Sequence, residues 1–339
     1  MHICHVNLAS GFAGGERQTV NLIRFLAESG VEQTLIAKPD NQMISELKEL
    51  PVEIRSTSHF LREHGGGRWD LIHCHDGKAV YWGLIESLIR KTPYIVTRRV
   101  ENPLKNKRVT RAAYGRALSV VCLSRAVSAA VKKLLPEARC PIIPSSYSGF
   151  DGDPVTVSEI RKRYAPKFIV GQVGSLFRIK GYHVTIEAAR ILGKSRSDID
   201  FVFLGKGPEL ENLKVQAEGL PSVHFVGHQS DVGSWLEAMD LLAFPSLQEG
   251  LGSTVLEAMQ HRTPVIGSNV GGIPDMIENG RNGLLVEPED AEALAAAISK
   301  LLDDAPLRAR LAEQALVDLE RFSPEAVGNA YLDLYSQLV

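Results

Sequence analysis

The sequence predicts an α/β protein of two doubly wound domains, and three observations carry that prediction. The chain has 339 residues, too long for one ordinary core and suited to two domains of about 150 residues each. Near-continuous apolar runs of β type alternate with helical patterns, as expected of parallel sheets covered on both faces. The alternation runs once, halts at a stretch of turn formers, and starts again.

In the first series the apolar runs are Ile3–Leu8, Thr34–Ala37, Leu71–Cys74, Tyr94–Val96, Val120–Leu123 and Pro141–Ile143. Helical patterns lie between most of them, among them Glu16–Ala27, Ala79–Ile89 and Arg125–Leu135. The stretch from Pro144 to Pro154 is the richest in turn formers and reads as a linker. The second series comprises Phe168–Val173, Phe201–Leu204, His224–Val226, Leu241–Phe244, Pro264–Ile266 and Gly283–Val286. Residues 289–339 carry no strand signal and read as helices around Ala291–Leu302, Leu307–Leu319 and Ala326–Leu338.

Hydrophobic content of 44% and charged content of 23% are those of an ordinary globular chain. No apolar run approaches the roughly 18 residues that would span a bilayer. The start, Met1 to Val6, lacks a basic region followed by an apolar one, so no secretory signal is expected. Of the four cysteines, Cys4, Cys74 and Cys122 sit in strand-like runs and Cys140 lies outside them. Buried, reduced thiols in a reducing compartment are expected. Net charge is −2, but residues 1–150 hold 21 Lys+Arg against 13 Asp+Glu, while residues 151–339 hold 17 against 27. Between Arg98 and Lys133 ten basic residues face one acid, Glu101. That is either a solvated face or a patch for an anionic membrane surface or acceptor.

Open α/β sheets bind ligands beyond the carboxyl ends of their strands, and the chemistry-bearing motifs fall there. Glu249-Gly250-Leu251-Gly252-Ser253-Thr254 follows the run Leu241–Phe244 and opens a helix that Ser253 or Thr254 would cap. Free amides at a helix start suit a diphosphate. Carboxylates on either side, Glu249 and Glu257, suit hydroxyls at the two ends of a nucleotide-sugar. The plainer reading puts Glu257 on a wet helix face and Glu249 in a loop.

Gly174-Ser175-Leu176-Phe177-Arg178-Ile179-Lys180-Gly181 follows Phe168–Val173. Arg178 and Lys180 would neutralise a leaving diphosphate, or would form a solvated basic turn. Gly14-Gly15-Glu16-Arg17 precedes a helix, and its glycines permit close backbone approach to a ligand. In His73-Cys74-His75-Asp76, strand alternation puts the two histidines on one face. His75 is nearer the strand end and is the functional candidate, with His73 as packed support. Metal ligation with Cys4 and His5 is the minor alternative, and no metal is expected. Arg98 and Arg99, after Tyr94–Val96, are weaker candidates for the acceptor side.

The run from Pro245 through Glu249 to Leu256-Glu257-Ala258-Met259 resembles the Glu-x7-Glu signature of glycosyltransferase family 4. The resemblance continues through Pro264-Val265-Ile266-Gly267, Gly271-Gly272-Ile273-Pro274-Asp275 and Asn282-Gly283-Leu284-Leu285-Val286. It covers most of residues 168–300 and returns in parts of the first half. It implies a GT-B fold: two doubly wound, Rossmann-like domains facing across a cleft. The expected division is 1–150 for the acceptor side, 151–322 for the nucleotide-sugar, and 323–339 as a helix returning to the first domain.

By the same resemblance Glu249 contacts the donor sugar, amides of Gly250, Leu251 and Gly252 hold the diphosphate, and Glu257 binds the ribose. Gly14 and Gly15 belong to a glycine loop that closes over the donor phosphate, and His75 lies close to the reacting sugar. Gly205 and Val226 fall in loops near the donor base. Many members carry an arginine at the position of Ser175, and Arg178 is taken as its substitute beside Lys180. Asp198-Ile199-Asp200 formally matches the Asp-x-Asp of metal-dependent glycosyltransferases, but it precedes its strand and reads as a turn. Asp151-Gly152-Asp153 lies in the linker.

The implied activity is retaining, metal-independent hexosyl transfer from a nucleotide-sugar to a glycan or glycolipid, as in lipopolysaccharide or other surface-glycan synthesis. The donor is a substrate and no cofactor is expected, with UDP-sugars ahead of GDP-sugars. A cytoplasmic location, at the inner face of the membrane, would follow. The alternatives are a nucleotide-sugar epimerase of the same fold and a catalytically silent nucleotide-sugar-binding member. A nicotinamide enzyme fits least, because no Gly-x-Gly-x-x-Gly follows a strand. No nucleic-acid partner is expected.

Overall fold

The computed structural model describes residues 1–339, and the chain forms two compact units, Met1–Ser146 with Arg321–Val339, and Tyr147–Glu320. In the first unit β1 (His2–Asn7), β2 (Glu32–Ala37), β3 (Val52–Ser56), β4 (Leu71–Cys74), β5 (Tyr94–Arg98) and β6 (Ser119–Cys122) make one sheet. Its order is β3-β2-β1-β4-β5-β6, and every pairing is parallel. The connections carry α1 (Gly14–Glu28), α2 (Gln42–Leu47), α3 (Ala79–Arg90), α4 (Arg108–Gly115) and α5 (Arg125–Lys132).

The second unit repeats the plan. Its strands are β7 (Phe168–Val173), β8 (Ile199–Leu204), β9 (Val223–Gly227), β10 (Leu241–Phe244), β11 (Val265–Ser268) and β12 (Leu284–Val286). They lie in the order β12-β11-β10-β7-β8-β9, again all parallel. The helices are α6 (Pro154–Tyr164), α7 (Tyr182–Leu192), α8 (Leu210–Gln216), α9 (Val232–Ala238), α10 (Ser253–Gln260), α11 (Ala291–Asp303) and α12 (Ala305–Leu319). The last helix, α13 (Pro324–Ser336), belongs to the first unit. Strand order reverses between β1 and β4 in one sheet and between β7 and β10 in the other. Ligand crevices of doubly wound sheets open at such reversals.

Alternation along β1 sorts its side chains. Cys4 and Val6 face the cluster of Trp69, Trp82 and Tyr94. Ile3, with Leu71, Ile95 and Val121, packs against Leu22 and Leu26 of α1 and Tyr331 and Tyr335 of α13. His5 and, on β4, His73 share this second face, in register with each other. In the second unit Val170, Phe201, Phe203, Leu241 and Ile266 join residues of α7 and α11 in one core.

Three expectations change. Val52–Ser56 is an edge strand that hydrophobicity does not announce, because Glu53 and Arg55 alternate with its apolar residues. Pro141–Ile143 runs beside β6, with Cys122 N–H donating to the Pro141 carbonyl (2.9 Å) and Ile143 N–H to Cys122 (3.0 Å). It forms only an isolated bridge, since Pro141 lacks a donor and Pro144 ends the run. Asp200 is not in a turn but within β8, where it accepts from Lys167 (2.9 Å) and pairs with His224 (3.1 Å). It sits at the amino end of the sheet, away from the ligand edge. The Pro144–Asp153 segment has neither helix nor strand, yet it is anchored. Ser146 N–H donates to Gln18 (2.9 Å), His261 donates to the Phe150 carbonyl (2.7 Å), and Asp153 N–H donates to Ser234 (2.7 Å).

Candidate active site

In the second unit the chains leaving β7 and β10, the two strands at the reversal, are held together by backbone. Gly181 has φ +71°, and a Cβ there would overlap the Pro245 carbonyl, so only glycine allows the approach. Leu247 N–H donates to the Ile179 carbonyl (2.7 Å). Gln172 donates to the Lys180 carbonyl (2.8 Å) and is itself held by the Thr185 hydroxyl (2.7 Å). This framework places Lys180 Nζ against Glu249 Oε2 as an ion pair. The two motifs, read separately in the sequence, are therefore one site. Phe244 lies under the ammonium, 5.7 Å from ring centre to Nζ. Arg178 begins a short 3-10 turn that ends at Lys180, and it is exposed.

Gly250, Leu251 and Gly252 lead into α10. Neither Ser253 nor Thr254 is the cap. Gly252 occupies that position with φ +99°, and Ser253 is the first helical residue. The left-handed conformation explains the substitution of roles, because a serine or threonine would be strained there. No side chain caps this helix start, so its amides are open to an anion. Glu257, one turn inside, is 8% exposed, which contradicts a wet-face position. Gly205 follows β8 with φ +143°, its N–H donating to the Gly227 carbonyl (2.8 Å). The Val226 carbonyl accepts from Gln229 (2.7 Å). Both stand at the carboxyl edge of the sheet.

In the first unit the reversal between β1 and β4 holds three imidazoles. His5, His73 and His75 are 0%, 0% and 3% exposed. His5 Nδ1 and His75 Nε2 are hydrogen-bonded at 3.0 Å. His73 is hydrogen-bonded through Nδ1 to the Tyr335 hydroxyl and through Nε2 to Thr97 Oγ1, both at 2.6 Å. Thr97 in turn meets the Tyr331 hydroxyl at 3.0 Å. Burial drives the pKa of all three rings down, to about 3 for His5, so they are neutral imidazoles. Their nitrogens approach within 4.8 Å of one another, but both nitrogens of His73 are already engaged by hydroxyls.

Gly14 and Gly15 do not precede α1; they are its first two residues. Glu16 draws the helix start forward by accepting from Ala13 N–H (2.9 Å). A Cβ on Gly15 would sit 3.4 Å from Cδ of Arg99. Arg99 makes no hydrogen bond or ion pair, its Nε is buried, and burial lowers its pKa. Arg99 is half-buried, and the Glu16 carboxylate offsets part of the burial penalty. Arg98 differs. It donates to the Asn102 carbonyl and Tyr114 hydroxyl and lies over the Tyr114 ring, so its charge serves the loop.

Sequence reasoning missed Tyr331 and Tyr335, and it set His5 only in the minor metal-ligand alternative. The i,i+4 spacing of the tyrosines puts them on one helix face, but nothing in the sequence says which sheet that face meets. The thiols behave as expected where they are buried: Cys4, Cys74 and Cys122 are free and inside, and Cys140 is free and half-buried. No helix is long and apolar enough to cross a membrane.

Comparison with known proteins identifies the family and the fold. Residues 12–146 match the family model described as Glycosyltransferase Family 4, and residues 154–317 match Glycosyl transferases group 1. The lipopolysaccharide core biosynthesis glycosyltransferase LpsE of Rhizobium meliloti (strain 1021) is 30% identical, with 98% of each chain covered. Among solved structures, Anabaena Alr3699/HepE in complex with UDP superposes with a TM-score of 0.85 at 22% identity, covering 99% of this chain and 100% of that one. The apo lipopolysaccharide outer core galactosyltransferase WaaB gives 0.78 at 16%, covering 99% and 100%. Two parallel sheets of one topology, the two matching family models and 30% identity over 98% of the chain together make this chain a glycosyltransferase of family 4, with the GT-B fold.

Proposed function

We propose that the chain transfers a hexose from a nucleotide-diphosphate sugar to a glycan or glycolipid, with retention and without a metal, in lipopolysaccharide or other surface-glycan synthesis. The observation that carries this reading is the Lys180–Glu249 ion pair beside the uncapped start of α10. The pairing orients the Glu249 carboxylate, which can accept from sugar hydroxyls. The Lys180 ammonium stands ready for phosphate oxygens as charge develops on the leaving diphosphate. Arg178 and the amides of Gly250–Gly252 add to that support, which is the role a divalent ion would otherwise have. Glu257 takes the ribose, and Gly205 and Val226 border the base. UDP is the favoured nucleotide, since Alr3699/HepE has been solved with UDP-glucose as well as UDP.

In the first unit His75 meets the reacting sugar, and Gly14 and Gly15 take donor phosphate. Arg99 takes an anionic group of the acceptor. Lys105, Lys107, Arg108 and Arg111 are exposed beside Val100 and Val109, each 50% exposed. That mixture suits docking on an anionic cytoplasmic leaflet. Salt-sensitive flotation with anionic liposomes would support it, and binding indifferent to lipid charge and salt would count against it.

Lys180→Ala and Glu249→Ala are each expected to lower turnover about a hundredfold or more, by analogy with lost oxyanion donors. Donor turnover near wild type in both variants would sink the site assignment. Activity abolished by chelator and restored by manganese would sink the metal-free mechanism.

A further inference from the structure

We propose that Asn282, braced by Asp318, is a positioning residue for Glu249, which it reaches through the segment Gly271–Ile277. The proposal rests on the reading that Glu249 meets the donor sugar, and it names what keeps Glu249 in place. It also gives a task to Gly267, Gly272, Asn282 and Gly283, which the donor contacts leave unused.

Glu249 is fixed at two points. Its carboxylate pairs with Lys180, and its backbone carbonyl accepts from Gly272 N–H (3.0 Å). Gly272 lies on the chain that leaves β11, so the position of Glu249 depends on how that chain is held. From Val270 to Ile277 it is wound by successive backbone bonds. Ile273 N–H donates to the Val270 carbonyl (3.2 Å), Asp275 N–H to Gly272 (3.1 Å), and the N–H groups of Met276 and Ile277 to Ile273 (3.0 Å each). A segment wound in this way moves as one piece, and whatever pins Ile277 also pins Gly272.

Shape supplies part of the pin. Ile277 is 1% exposed and lies between two glycines. A Cβ on Gly267 of β11 would be 3.1 Å from its Cδ1, and a Cβ on Gly283 would be 2.9 Å from its Cγ2. Ile273 packs against Gly267 as well, at 2.7 Å from such a Cβ. A side chain at either glycine would push the segment off the sheet.

Asn282 supplies the rest, and it is 1% exposed. Its Oδ1 accepts from Glu278 N–H (2.7 Å), and its Nδ2 donates to the Met276 carbonyl (3.1 Å) and to Asp318 Oδ2 (2.8 Å). One side-chain amide therefore holds the peptides on both sides of Ile277. Both N–H donors and the oxygen are used, so a flipped amide would set like against like at all three contacts. Asp318, on α12, fixes the amide from outside. Its other oxygen accepts from Arg281 (2.8 Å) and Gln314 (3.0 Å). Asn282 and Asp318 touch no substrate in this scheme.

Asp318→Leu carries the test, because it removes one acceptor and fills its place, whereas Asn282→Ala would open three bonds at once. Asp318→Asn is the conservative partner. Its carbonyl oxygen still accepts from Asn282, and Arg281, exposed and already paired with Glu278 (2.9 Å), can turn from the new amide nitrogen. Amide hydrogen exchange of the folded full chain reads Gly272 directly. Its exchange is expected to rise about fivefold in Asp318→Leu, the weight of one ordinary hydrogen bond, and to stay near wild type in Asp318→Asn. UDP release from UDP-glucose should slow by a similar factor in Asp318→Leu alone, with the affinity for UDP unchanged in calorimetric titration. A unit that was merely less folded would lose UDP-binding stoichiometry with turnover and would exchange faster in all its strands.

Unchanged Gly272 exchange in Asp318→Leu would overturn the proposal. So would UDP release at the wild-type rate in that variant, or a loss in Asp318→Asn as large as in Asp318→Leu. If Glu249→Ala turns over donor normally, the sugar role of Glu249 falls, while Gly272 exchange still decides whether Asn282 and Asp318 hold its backbone.

Discussion

Acidification is expected to destabilise the first unit through its buried histidines, and His5 allows the size to be worked out. Burial lowers its pKa in the folded chain to about 3, against about 6.5 when unfolded. Between those values the unfolded chain binds the extra proton, so stability rises with pH there. The contribution of His5 is complete above roughly pH 6.5 and shrinks as pH falls toward the folded value. The slope is about 1.4 kcal/mol per pH unit, so moving from pH 7 to pH 5 costs about 2 kcal/mol for this one ring. His73 and His75 are shifted in the same direction by burial and steepen the fall. With a urea m-value of about 2 kcal/mol/M, His5 alone moves the midpoint by about 1 M. The assay is urea unfolding followed by fluorescence of Trp69 and Trp82, which lie in the first unit, with Trp235 of the second replaced by Phe. His5→Phe should make the dependence shallower by one proton. A midpoint flat between pH 7 and pH 5, or an unchanged slope in His5→Phe, would refute the reasoning.

Further expectations concern single positions. Gly252→Ala puts a Cβ 2.9 Å from the Phe244 ring at φ +99° and should cost about 1–3 kcal/mol. It should weaken nucleotide binding as well, measured by calorimetric titration with UDP. Tyr335→Phe removes the 2.6 Å hydrogen bond to His73 and leaves a buried imidazole nitrogen without a partner. A loss of about 1–3 kcal/mol is expected, read as a lower urea midpoint of the first unit. Under native alkylation followed by mass spectrometry, Cys140 should be modified well before Cys4, Cys74 and Cys122, which are fully buried.

Much of the fold was legible because its information is local. A strand buried on both faces, such as Phe168–Val173, declares itself as a continuous apolar run, and its observed limits are the same. The edge strand Val52–Ser56 did not, since half of it faces water and carries charge. Gly252 also misled. A serine next to a helix start is the usual cap, but the backbone's left-handed turn put glycine in that place. The pairing of Lys180 with Glu249 lay beyond sequence reading because 69 residues separate them. Only the placement of β7 beside β10 brings them together. The same holds for the tyrosines of α13, whose hydroxyls reach His73 and Thr97 from more than 200 residues away in the chain. Local pattern gives elements and their order; side-chain meetings across a sheet reversal require the topology.

The central claim is that Lys180 and Glu249 hold a nucleotide-sugar on the second unit. A ligand that binds only the folded state raises its apparent stability, so thermal unfolding with UDP-sugars and GDP-sugars tests the claim most directly. The account predicts a concentration-dependent rise in melting temperature with a UDP-sugar, sharply reduced in Lys180→Ala and Glu249→Ala. No rise with any nucleotide-sugar, or a full rise in both variants, would contradict it.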